Sequence, residues 1–79
     1  MQSAVIKRSV VVGGNKTSVS LEDVFWSGIK EVADQRGRSL GDMFTEINAG
    51  RGHHNLSSAI RVFVFEEALR HARYAGPDS

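Results

Sequence analysis

The sequence predicts an α+β chain, mainly helical, in which an N-terminal strand or hairpin precedes three helices. Residues 16–21 alternate polar and apolar side chains with the two-residue period of a half-buried strand. Downstream, apolar residues recur at spacings of three and four, the period of a helix that buries one face. Capping and turn residues bracket each periodic stretch. The 79 residues allow one domain, and 41 % apolar with 24 % charged residues is the balance of a globular chain rather than a disordered one.

Residues 1–15 read as a basic N-terminal arm or as the first strand of a hairpin. Lys7-Arg8-Ser9-Val10-Val11-Val12 is strand-like, and Gly13-Gly14 is a two-residue turn signal because both glycines accept positive φ. That turn sets Val12 opposite Asn15 and Val10 opposite Thr17. Arg8, Val10 and Val12 then share a face with Thr17 and Val19, and Lys7, Ser9, Val11, Lys16, Ser18 and Ser20 share the other.

Residues 16–75 hold the main domain. Ser20-Leu21-Glu22-Asp23 resembles a capping box, so a first helix is expected over about 21–36, closed by Gly37. Ser39 repeats the capping signal before a short second helix with an apolar stripe of Leu40, Met43, Phe44 and Ile47, ended by Asn48-Ala49-Gly50. Gly50-Arg51-Gly52-His53-His54 is a loop, and Asn55 caps a third helix. Around Val62, Phe63, Val64 and Phe65 that helix is apolar in every direction, which requires burial on all sides. A subunit interface is the expected cover. Residues 76–79 form a short polar tail.

Composition narrows the function classes. The absence of Cys removes disulfides and thiolate metal sites, leaving oligomerisation as the staple of so small a core, and a homodimer is expected. The longest apolar runs are too short for a spanning helix or a signal-peptide core, which points to a cytoplasmic protein with no membrane partner. The formal net charge is only +1, yet residues 1–21 hold Lys7, Arg8 and Lys16 and no acid. A local positive face of this kind suits nucleic acid.

No catalytic constellation is present, and no enzyme, cofactor or metal is expected. Gly13-Gly14-Asn15-Lys16-Thr17 lacks the first glycine of a nucleotide-binding loop and leads into a strand. His53-His54 has only His71 as a further imidazole, which favours an ordinary solvated loop. Trp26 beside Phe25 is expected to split between core and subunit interface, and Arg61 to pair with an acid such as Glu46 or Glu66.

The strand Lys16-Thr17-Ser18-Val19-Ser20-Leu21, the helix from Glu22 to Arg36 and the Gly37-Arg38-Ser39-Leu40 turn together resemble the ribbon-helix-helix family of bacterial transcriptional regulators, of the Met and Arc repressor type. Lys-Arg-Ser-Val at 7–10, Thr-Ser-Val-Ser-Leu-Glu at 17–22, Phe-Trp at 25–26 and Asn-Leu-Ser-Ser-Ala-Ile-Arg-Val-Phe-Val at 55–64 are similar to a subgroup of small stand-alone members. The resemblance covers roughly residues 7–70. It implies an intertwined homodimer in which one strand from each chain pairs into an antiparallel ribbon that enters the major groove of double-stranded DNA, with higher-order association on DNA.

Carried over by position, the resemblance makes Lys16, Ser18 and Ser20 base-facing, and places Lys7, Arg8, Arg38 and Ser39 at phosphates. Val19, Leu21, Ile60, Phe63 and Val64 become the dimer core. Two features depart from the family pattern: the base-facing trio has one cation and two small hydroxyls, and a loop and third helix follow a short second helix. The rival expectation is a protein-interaction module, an antitoxin or a dimeric adaptor without DNA binding. A toxin partner is disfavoured because only Gly76 to Ser79 follow the third helix.

Overall fold

The computed structural model describes residues 4–52 and 55–75, with side-chain surroundings through Ala72. Two strands, β1 (Val5–Val12) and β2 (Asn15–Glu22), precede three helices, α1 (Asp23–Arg36), α2 (Leu40–Ala49) and α3 (Leu56–Ala75). Gly13 and Gly14 take φ of 58° and 85°, and the strands pair antiparallel with Val12 opposite Asn15 and Val10 opposite Thr17. A turn with two positive φ values matches the right-handed twist of the flanking strands. Within one chain the double-glycine turn returns β1 onto β2, so the two strands form a hairpin.

The hairpin docks onto α2 through its turn, where the Gly13 amide donates to Thr45 Oγ1 at 2.9 Å. That hydroxyl in turn donates to the Gly41 carbonyl at 2.8 Å. Beneath the sheet, Val12, Val19 and Leu21 meet Ile29 of α1, Met43, Phe44 and Ile47 of α2 and Ile60 of α3 in a single core. Trp26 belongs to it: its indole stands edge-on to Phe44 at 5.9 Å and donates to the Ile6 carbonyl at 2.9 Å.

Helix ends follow their capping chemistry at most positions. Gly37 at φ 64° lets its amide reach Asp34 and the Arg38 amide reach Ala33, the paired bonds that close a helix over a left-handed residue. Ser39 Oγ accepts from the Asp42 amide at 3.1 Å, and Asn55 Oδ1 accepts from the Ser58 amide at 2.8 Å. The start of α1 differs from expectation. Ser20 does not cap it; β2 continues to Glu22, because Leu21 is fully buried under the sheet and the Asp23 amide still donates to the Ala4 carbonyl at 2.8 Å.

Val19, Leu21 and Ile60 are at most 1 % exposed within one chain, and Phe63 and Val64 pack half-buried against the same core, where hairpin, α1 and α2 enclose a single face of α3. His53, His54 and residues 76–79 lie outside the described residues.

Candidate nucleic-acid interface

The register decides which groups each ribbon face presents. A turn bond joins Val12 to Asn15, and hydrogen-bonded pairs alternate from there, so residues 6, 8, 10 and 12 bond residues 21, 19, 17 and 15. The Asp23 to Ala4 bond continues that parity. Side chains of the same residues face the helices. The outer face carries the cross-strand pairs Val11 with Lys16, Ser9 with Ser18 and Lys7 with Ser20. All are exposed except Ser20, which is partly covered. The first acid, Glu22, lies at the far end, where Arg61 Nε donates to its Oε1 at 2.8 Å.

This arrangement brings Lys16, Ser18 and Ser20 together with Lys7, and it adds Ser9 and Val11. It separates Lys7 from Arg8, as the two-residue period requires. The Arg8 guanidinium sits on the helix side, 5.5 Å from the Trp26 ring centroid. There Arg8, Ser27 and Lys30 line a cleft of about 360 Å³ between β1 and α1 that also touches Leu40 at the start of α2. Ser39 caps α2, and the Leu40 and Gly41 amides have no intrahelical acceptor, which makes this helix start favourable to an anion.

Arg38 forms an ion pair with Glu46 of α2, and that hydrogen bond raises the guanidinium pKa and holds the Glu46 carboxyl below its usual range. Arg61 engages Glu22 rather than Glu46 or Glu66, because α3 runs beside β2 and Glu22 ends that strand; the hydrogen bond lowers the Glu22 pKa. Glu67, 6 % exposed, is held by Arg36 at 2.8 Å and Arg70 at 3.4 Å. Among the described residues, no three His, Asp or Glu side chains group as metal ligands, and no helix is long and apolar enough to cross a membrane.

A two-stranded antiparallel ribbon followed by two capped helices is the architecture of a known domain, and the profile of the ribbon-helix-helix domain matches residues 5–68. The chain belongs to the ribbon-helix-helix family. Members of this family are in general DNA-binding transcription regulators or antitoxins, and typically non-enzymatic. No curated protein and no solved structure matches the chain. The match includes β1 and most of α3, so the first strand and third helix belong to the domain rather than decorating it. Sequence reasoning placed Ser9 and Val11 on the outer face without assigning them to the site, and it passed over Lys30. Only the packing of α1 beside β1 brings Lys30 near Arg8.

Proposed function

We propose that this ribbon-helix-helix protein is a sequence-specific transcription regulator that acts as a homodimer and inserts a dimeric antiparallel β-ribbon into the major groove of double-stranded DNA. The observation that carries this reading is the outer face itself: two lysines flank small hydroxyls, with no acid before Glu22. A two-stranded ribbon fits a groove about 12 Å wide, and Lys16 is suited to guanine O6 and N7. Ser9, Ser18 and Ser20 donate or accept at short range, and Val11, 53 % exposed, suits a thymine methyl. Lys7 meets backbone phosphate, as do Arg8, Lys30 and the first amides of α2 beside their cleft.

Selection of bound fragments from random DNA followed by mobility-shift titration tests the proposal. Lys16→Ala is expected to cost about 1–3 kcal/mol on the selected site and to narrow the gap to random DNA. An equal loss on every sequence reassigns Lys16 to phosphate. No shift at low salt and micromolar protein rejects DNA binding and favours the protein-interaction alternative.

A further inference from the structure

The tip of the hairpin is held by a hydroxyl from another element. In a two-residue turn the amide of the first turn residue takes no part in the ladder and ordinarily meets water. Here the Gly13 amide donates to Thr45 Oγ1 at 2.9 Å, 32 positions away in sequence. The hydroxyl spends its one proton on the Gly41 carbonyl at 2.8 Å, a bond to the preceding helical turn that fixes the rotor and leaves a lone pair for the incoming amide. Thr45 is itself exposed, so burial does not account for its place.

Gly41 carries the link to the start of α2. Its carbonyl holds Thr45, while its amide is among those at the head of the helix that have no intrahelical acceptor. A Cβ built on Gly41 would stand 3.5 Å from the Val11 carbonyl oxygen, which lies on the edge of β1 away from β2, so the first turn of α2 rests against the end of the hairpin. Val11 and its cross-strand partner Lys16 are the outer-face residues nearest that end. Hairpin tip, Thr45 and the head of α2 form one connection between the side chains assigned to bases and the amides assigned to phosphate.

We propose that Thr45 is a positioning residue that sets sequence discrimination: its hydroxyl locks the hairpin tip to the head of α2, so that Val11 and Lys16 arrive at base edges in register when α2 engages the DNA backbone. This role rests on the ribbon reading the major groove, and it places control of that reading in a residue outside the contact surface. Hydrogen bonds to base edges are short and directional, so a tip free to swing has to be ordered at the moment of binding, at a cost in affinity for the preferred site. Attraction to phosphate reaches over about 10 Å and tolerates a displaced tip. Loss of the lock therefore reduces discrimination and leaves non-specific binding unchanged.

Mobility-shift titrations of the full chain on its selected site and on random DNA, at several salt concentrations, test this. Thr45→Val keeps the branched shape and removes the hydroxyl, and it is expected to lower the ratio of specific to random affinity about five-fold, with random-DNA affinity and salt slope unchanged. Thr45→Ser keeps the hydroxyl and should retain the wild-type ratio. Thr45→Ala removes the hydroxyl with a better helix former and should repeat the Thr45→Val result. In the free protein the Gly13 amide is expected to exchange with deuterium about ten-fold more slowly in wild type and Thr45→Ser than in Thr45→Val.

A Thr45→Ser protein that behaves like Thr45→Val overturns the role of the hydroxyl, and so does wild-type Gly13 exchange at the Thr45→Val rate. An equal loss on every sequence overturns it as well, because a lost phosphate contact or lost stability acts in that way. Loss of helical circular dichroism in both Thr45→Val and Thr45→Ala assigns the hydroxyl to folding and rejects the positioning role. Wild-type protein that shifts no DNA defeats the proposed function and takes this role with it, whereas wild-type discrimination that survives Thr45→Val and Thr45→Ala defeats the positioning role alone.

Discussion

At the scale of single residues, charged side chains divide into those spent on the fold and those left for a partner. Arg38, Glu46, Arg61 and Glu22 are engaged in ion pairs, whereas Lys7 and Lys16 project from the ribbon face. The Arg38 hydrogen bond lowers the Glu46 pKa, so the folded state holds that proton more weakly than the unfolded chain. Its stabilisation is present above the ordinary carboxylate value of 4.5 and is lost as pH falls through the lowered one. Urea unfolding of wild type and Glu46→Gln should therefore differ most near neutral pH and converge in acid. A difference that grows on acidification would contradict the pair.

Among elements, the decisive contact is the close approach of α1 and α3. A Cβ placed on Gly28 would lie 2.7 Å from Val64 Cγ1, so the helices meet at a position where only glycine fits without movement. Intrinsic propensity alone makes alanine about 1 kcal/mol better than glycine inside a helix. Overpacking against a branched side chain works the other way, by about 1–3 kcal/mol. Gly28→Ala is expected to lower the urea midpoint, and adding Val64→Ala should recover part of the loss. A stabilised single variant would show that the two helices sit farther apart. Arg36 reinforces this junction, bonding Glu67 at 2.8 Å and lying 5.3 Å from the Phe63 ring centroid.

For the whole molecule, the distribution of charge predicts how DNA binding responds to salt. Lys7 on the ribbon face and Arg8 and Lys30 at the cleft meet phosphate in each chain of the proposed complex, so a homodimer brings six such cations. With each phosphate contact contributing about −0.9, the log–log slope of affinity against salt should be about −5, or roughly three decades between 50 and 200 mM. Lys7→Ala should make it shallower by about 2, and Arg8→Ala should do the same while also loosening the packing over Trp26. Filter-binding titrations at several salt concentrations measure this, and a slope near zero would remove the electrostatic basis for the interface.

Local chemistry left residues 1–15 open between a basic arm and a hairpin strand, and for the hairpin it set the register and the division of faces, because Gly13-Gly14 and a two-residue period keep Val12 and Val19 on one side; the structure decides for the hairpin. Local chemistry also located the caps at Gly37, Ser39 and Asn55, whose bonds are made within a few residues. Interactions that span the chain were decided by tertiary packing alone. Helix α1 begins at Asp23 because Leu21 is drawn under the sheet, and Arg38 and Arg61 meet Glu46 and Glu22 because α2 and α3 lie where the core puts them. Periodicity showed that α3 is apolar around Val62 to Phe65, but hydrophobic pattern records only that a side chain is apolar, not what covers it. The fold supplied that answer by enclosing Ile60 and leaving Val62, Phe65 and Leu69 outside.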